Sequence, residues 1–397
     1  MTGDQRKKMI VLMINMFIAI GSFGIIIPIL PAYLDSINEG GMAAGLMIAI
    51  FAGAQLVFSP VAGKWADDYG RRKMIIFGLF GLALSMFVFY AFDSIWWLYA
   101  SRVIGGIGAA LLIPAIFAYV ADITTFDQRA KGNSLISAAM SFGIVVGPGI
   151  GGFLADLGLK MPFLISAIVA LLAVLFSIVF LKEPDRQPQP VFDTPPVNDS
   201  MGKKLVRSVT MPYFIPLVIT LVMSFGLMAY ESVLGLFVDD EFGATPQEIA
   251  LMITSTGIVS VIVQLFIVDR LVTRFGEGTV LNVFLAVAAF GFLLSVFAKN
   301  YMLFFGISLL IFLATSILRP VLNTLISKMA GDEQGFAMGM NNAYMSIGNV
   351  LGPTCAGLLY DINIIYPFIL GVFLLAATLV LTIVWQKRAI KQNVLSS

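Results

Sequence analysis

The stretch SFGIVVGPGIGGFLADLGLKMPF, residues 141–163, returns as SIGNVLGPTCAGLLYDINIIYPF at residues 346–368. One offset of 205 residues, with no gap, aligns Gly143 with Gly348, Gly147 with Gly352 and Pro148 with Pro353. It also aligns Gly152 with Gly357, Asp156 with Asp361, and Pro162-Phe163 with Pro367-Phe368. A second echo sets ADDYGRRKM, from Ala66, against VTRFGEGTV, from Val272, and pairs Gly70 with Gly276. The chain therefore carries an internal duplication, and its fold must be built twice.

Composition says in which solvent. Of the 397 residues, 59% are hydrophobic and 12% charged, and the mean hydropathy is +0.95. Soluble domains are about 45–50% apolar and about 25% charged. This balance excludes a soluble enzyme, a disordered chain and a small disulfide scaffold. A net charge of +1, without basic blocks interleaved with aromatics, argues against nucleic acid as a partner. There are no histidines, so imidazole metal sites and Ser-His-Asp chemistry are absent. The single Cys355 forms neither an internal disulfide nor a cysteine cluster. A polytopic membrane protein remains, with the lipid bilayer as its partner.

A crossing helix needs about 20 apolar residues. Such runs fall near 9–33, 42–64, 72–92, 96–120, 133–156 and 160–181 in the first half. In the second half they fall near 212–237, 246–271, 277–298, 301–328, 335–360 and 365–386. They are too long, and too uniformly apolar, for barrel strands. The expected fold is an all-α integral membrane protein of 12 transmembrane helices in two six-helix bundles. The first run is too long for a signal-peptide core and ends in Pro28 and Pro31 without a cleavage pattern, so it reads as a retained helix. Of 24 Lys and Arg, 20 fall on one side if both termini are cytoplasmic; only Lys160 and Lys299 fall outside, and Arg102 and Arg319 lie within spans. This is the positive-inside bias. Residues 183–210 hold Pro184, Pro188, Pro190, Pro195 and Pro196 among polar groups and read as a mobile linker. The expected domains are 1–182, the linker 183–210, and 211–397. Parallel six-helix repeats about an axis along the membrane normal are a known transporter plan.

Three motifs carry a family resemblance. Residues 63–72, GKWADDYGRR, resemble the loop between helices 2 and 3 of the major facilitator superfamily. RVIGG at 102–106 resembles its helix 4 motif, and Gly143-x3-Gly147-Pro148-x2-Gly151-Gly152 resembles the helix 5 motif of its antiporters. Within the superfamily the chain resembles the bacterial drug–proton antiporters nearly end to end, including IPILP at 27–31, SFGLMAYES at 224–232, LRP at 318–320 and AGDEQGFAMGMN at 330–341. The resemblance implies proton-coupled multidrug efflux by alternating access, exporting amphipathic, often cationic compounds across a bacterial cytoplasmic membrane. It implies a monomer with no cofactor, driven by the proton gradient. No Walker pattern is present and no chemistry on the substrate is expected.

Glu231 is the one carboxylate within the interior of a span. A mid-membrane charge costs roughly 2.5–3.5 kcal/mol on insertion scales and is rare without a use. Desolvation disfavours a charged carboxylate, which suits a proton carrier. The resemblance implies that Glu231 serves both coupling and drug binding, and that Arg102 influences protonation. Arg319, beside Pro320, is the second intramembrane cation and a further coupling candidate. Gly143, Gly147 and Gly151 share one helix face and, with Pro148 and Gly152, read as a close-packing motif; the resemblance implies contact between helices 5 and 8. Asp67, Gly70, Arg71 and Arg72 form a tight cytoplasmic turn; with Gly63 they belong to the motif in which the resemblance implies that Asp67 and Arg71 latch to the other half and to Asp122. Pocket candidates are Gln55, Phe142, Phe225, Tyr230, Gln264, Asn323, Asn341 and Tyr344, since aromatics hold flat cations by stacking and cation–π contact. One position departs from the drug–proton pattern. An aspartate is expected three residues before Arg319, and Ser316 stands there. That departure keeps open an alternative, a dedicated exporter or flippase of a specific metabolite, sugar or lipid.

Overall fold

The computed structural model describes residues 3–184, 201–331 and 333–395. All regular structure among them is helical. The first half holds α1 (Gly3–Ile26), α2 (Leu30–Ser36), α3 (Gly41–Tyr69), α4 (Arg71–Ala91), α5 (Ile95–Ile123), α6 (Phe126–Leu154), a 3-10 turn (Ala155–Leu157) and α7 (Met161–Phe180). Then come α8 (Met201–Ser208), α9 (Phe214–Phe242), α10 (Pro246–Phe266), α11 (Val268–Phe275), α12 (Glu277–Val296), α13 (Tyr301–Ala330), α14 (Gln334–Ile362) and α15 (Tyr366–Leu395).

Eleven helices among the described residues are long and apolar enough to cross a membrane. Each coincides with one of the expected runs. The remaining run, 335–360, is the 29-residue α14. It has the length, but Asn341, Asn342 and Asn349 make it more polar than the others. Prolines 60, 114, 148, 320 and 353 lie inside α3, α5, α6, α13 and α14, a placement membrane helices tolerate.

Two expected spans end early. The run 9–33 breaks after Ile26: turn bonds run from Ile27 N to Gly24 O (3.3 Å) and from Ile29 N to Ile26 O (3.1 Å) before α2 begins. Pro28 and Pro31 explain it, because proline offers no N–H and pushes the preceding residue out of the helical region. The run 246–271 stops at Phe266, and Asp269, Arg270 and Arg274 belong to the separate, amphipathic α11. Of the expected linker, residues 185–200 lie outside the described residues. Its last part folds as α8.

Packing divides the chain into two compact units, Met1–Val191 with Val238–Ser255, and Phe192–Phe237 with Thr256–Ser397. In the first, Leu12, Ile75, Leu112, Ile116 and Tyr119 anchor a core shared by α1, α4 and α5. In the second, Tyr213, Leu217, Ile326, Ala337 and Met340 form a core joining α9, α13 and α14.

The duplication is visible as contact. A Cβ on Gly143 would lie 3.0 Å from the Phe17 carbonyl oxygen and 3.1 Å from Gly21 N. A Cβ on Gly348 would lie 2.6 Å from the Leu221 oxygen and 2.8 Å from Phe225 N. Thus α6 lies on α1 as α14 lies on α9, each backbone-close because glycine leaves no side chain between.

Candidate functional site

In the second unit, α9 carries Glu231 near its middle. Successive residues of a helix point about 100° apart, and the neighbours of Glu231 show the consequence. Tyr230 is 1% exposed. Its ring packs among Phe292, Phe304, Phe312 and Phe368 at centroid distances of 5.1, 6.4, 6.0 and 5.7 Å. Its hydroxyl lies 2.7 Å from Ser308 Oγ. Ser232 donates to the Ala229 carbonyl at 2.8 Å. Glu231, between them, is only partly buried. Among the described residues no basic group comes within ion-pair distance of its carboxylate, although the charge of Arg319 on α13 acts on it through space. Arg319 is exposed within its unit and donates to Met345 Sδ at 3.2 Å. Ser316, one turn earlier, is buried and donates to its own helix at the Phe312 oxygen, 2.5 Å away.

Three pocket candidates become framework. Tyr230 is closed off by rings, and its hydroxyl is already bonded; it packs α9 against α12, α13 and α15. Tyr344 is buried with its hydroxyl 2.9 Å from Ser208 Oγ, which fastens α8 to α14. Asn341 is 3% exposed; its Nδ2 donates to Asn323 Oδ1 at 2.7 Å, and its Oδ1 accepts from Thr220 Oγ1 at 2.9 Å. This ladder joins α9, α14 and α13 in one polar line through an apolar bundle. Asn323 remains partly exposed at its end, Phe225 is partly exposed, and Gln264 is exposed.

In the first unit, Arg102 on α5 is 2% exposed. Its Nη2 donates to Ser85 Oγ and Ser101 Oγ, both at 3.3 Å, and its guanidinium lies 4.5 Å from the Phe89 ring centre. Its Nε has no partner. Hydroxyls and a ring face, not a carboxylate, hold this cation. Gln55 is partly exposed. Phe142 is exposed, with its ring centre 5.4 Å from that of Phe17.

The latch residues come together inside the first unit. Arg71 pairs with Asp67 and, through Nε at 3.2 Å, with Asp122 Oδ2. Gly70 has φ +106°, a conformation open to glycine at little cost. Gly63 meets no neighbour within 4 Å of its Cβ position. The sequence did not point to Glu183. Its carboxylate accepts from Arg71 N at 2.6 Å and Arg72 N at 3.1 Å, the first free amides of α4. A carboxylate there meets both the unpaired N–H groups and the helix dipole. The available clue was a lone Glu directly after the sixth span, where a basic helix start needs an acceptor.

The glycine motif packs on two partners, and the expected contact with the eighth span lies on only one side of it. The face Gly143, Gly147, Gly151 packs on α1, not on the eighth span. A Cβ on Gly147 would lie 2.7 Å from the Gly21 oxygen, and one on Gly151 would collide with the Ile25 carbonyl. Pro148 presses its Cδ within 2.9 Å of the Gly24 Cβ position. The contact with α10, the eighth span, falls to Gly149 and Gly152: a Cβ on Gly149 would lie 3.1 Å from Thr254 Oγ1, and one on Gly152 would meet Ala250 and, at 2.8 Å, the Pro246 oxygen. Asp156 also accepts from Gln247 Nε2 across this seam.

Known proteins share this arrangement. The chain matches the Major Facilitator Superfamily over residues 12–236 and 216–396. It is 40% identical to Multidrug resistance protein 2 of Bacillus subtilis, covering 97% of each chain. It is 34% identical to Quinolone resistance protein NorA of Staphylococcus aureus, covering 97% of this chain and 98% of that one. By shape it resembles the crystal structure of a bacterial homolog of the human lysosomal transporter Spinster, with a TM-score of 0.80 at 15% identity over 98% of both chains. The duplicated bundles, the motif geometry and these relatives agree that the chain belongs to the Major Facilitator Superfamily.

Proposed function

We propose that this protein is a multidrug efflux transporter that exports amphipathic, often cationic compounds across a bacterial cytoplasmic membrane in exchange for protons. The observation that carries the reading is Glu231: a partly buried carboxylate in the apolar α9, with the Arg319 charge acting on it but, among the described residues, no ion pair closing it off. A carboxylate left open in this way takes either a proton or a cationic ligand, and each displaces the other. The names of the relatives, at 40% and 34% identity, support the substrate class. In this reading a single chain works by alternating access, needs no cofactor and leaves its substrates chemically unchanged.

Dye efflux from proteoliposomes under an imposed pH gradient, parent against Glu231→Gln, tests it. Gradient-driven efflux that the substitution abolishes is the expected result. Efflux that survives Glu231→Gln would place the proton site elsewhere.

Ser316 favours a second reading, a dedicated exporter or flippase of one metabolite, sugar or lipid. α13 contains no Asp or Glu, so it offers no second carboxylate for coupling, and the Ser316 hydroxyl is committed to its own helix at the Phe312 oxygen. A parent protein that moves none of several unrelated dyes would favour this reading.

A further inference from the structure

The loop echo noted in the sequence continues into charge. The offset of 206 that carries Gly70 to Gly276 also carries Arg71 to Glu277 and Asp122 to Lys328. In the first unit Arg71 pairs with Asp122 at 3.2 Å; in the second, Lys328 pairs with Glu277. The two ion pairs stand at equivalent places with opposite polarity. We infer that Glu277 and Lys328 form a standing clasp between α12 and α13, and that they are positioning residues for the transport that the proposed function assigns to this chain.

The reason lies in the helix ends. The N-terminus of a helix favours negative charge and the C-terminus positive charge. Glu277 begins α12 and Lys328 sits in the last turn of α13. Each charge suits its own helix end before the pair forms. Arg71 begins α4, and Asp122 lies at the end of α5. Each of these opposes its helix end, and Glu183 must supply the missing negative charge at the start of α4. The first pair is therefore held against its helix dipoles, while the second is supported by them.

A third member repeats the contrast. Where the first unit places the Glu183 carboxylate over α4, the second places the neutral Gln386 of α15 over α12. Gln386 Nε2 donates to the Gly278 oxygen at 3.2 Å, and Gln386 Oε1 accepts from Asn282 Nδ2 at 2.6 Å. No further charge is needed, because Glu277 already satisfies the helix start. The clasp ties down the same end of α13 as Asn323, on the helix that also carries Arg319. A fixed end there lets α13 move with α12 and α15 as one body.

The test uses the full chain in inside-out membrane vesicles, with Cys355→Ser as background. One variant adds Glu277→Cys and Lys328→Cys; the other adds Arg71→Cys and Asp122→Cys. A bismaleimide joins each pair, with and without an imposed pH gradient. For the 277/328 pair the cross-linking yield is expected to be the same in both conditions, and dye transport to stay within about twofold after cross-linking, since only a contact that must open gates turnover. The 71/122 pair serves as the comparison for a contact opposed by its helix ends. A yield at 277/328 that changes with the gradient, or transport lost on joining that pair, would overturn the clasp. A charge exchange guards against a cysteine artefact: Glu277→Lys alone is expected to lower the transport rate up to roughly fivefold, the limit an exposed pair can carry, and adding Lys328→Glu is expected to recover part of it. Single reversal without effect counts against the inference. The yield needs no substrate, so it stands apart from failure of the dyes to be transported.

Discussion

Gly147 of α6 lies against Gly21 of α1 so closely that a Cβ at 147 would stand 2.7 Å from the Gly21 carbonyl oxygen. Backbone cannot step aside as a side-chain tip can. Gly147→Ala is therefore expected to force α6 off α1, at about 1–3 kcal/mol, the usual cost of overpacking. Gly306→Ala is the control, since nothing lies within 4 Å of the Gly306 Cβ position. Thermal melting in detergent should show a lower midpoint for the first and none for the second. Equal midpoints would mean that the glycine face is not in tight contact.

The start of α4 should respond in graded steps. Glu183→Gln keeps one oxygen to accept from Arg71 N or Arg72 N; Glu183→Ala keeps none. Losing a capping group costs about 0.5–2 kcal/mol, so melting points should fall in the order parent, Gln, Ala. Gly70→Ala adds a second penalty. It puts a Cβ at φ +106°, 2.7 Å from the Glu183 carboxylate, and with ψ at 147° this backbone region is essentially confined to glycine, so alanine there costs about 1–3 kcal/mol. If Gly70→Ala loses no more stability in the parent than in a Glu183→Ala background, the carboxylate contact is not the cause of its cost.

Asn341 bridges Thr220 and Asn323 inside the second bundle. Asn341→Leu removes both bonds; it strands the Asn323 amide oxygen and leaves Thr220 Oγ1 with the Pro216 oxygen at 3.1 Å, a loss of about 1–3 kcal/mol. Adding Thr220→Val and Asn323→Leu removes both former partners as well. The triple variant should melt above the single one. A triple variant less stable than the single would show that the ladder is not a closed unit.

Tyr344→Phe deletes a single oxygen, the one that meets Ser208, whose residue is 0% exposed. The expected cost is about 1 kcal/mol, concentrated at α8. Amide hydrogen exchange should accelerate in residues 201–208 while α9 and α14 keep their protection. Uniform acceleration across the second unit would assign Tyr344 to the general core instead.

The bundles, the duplication and Glu231 were all legible along the chain. Each rests on a local property: twenty apolar residues in a row, identities at one offset, one carboxylate in an apolar helix. The glycine motif was legible only in part. That Gly143, Gly147 and Gly151 share a face follows from helix periodicity, but nothing in the residues says whether α1 or α10 lies on it. Likewise Tyr230 and Glu231 are neighbours in sequence, and only the surrounding helices decide that one is sealed among phenylalanines while the other stays open.

By itself the sequence determined the solvent, the helices and the repeat, because hydrophobic length and periodicity act within one segment at a time. Tertiary structure alone decided the partners. Glu183 reaches Arg71 across 112 residues and Asn341 reaches Thr220 across 121, and neither segment names the partner it will meet. The physical reason is the low-dielectric interior. A polar group there must find a partner wherever the fold brings one, so the choice belongs to packing geometry and not to the local run of residues.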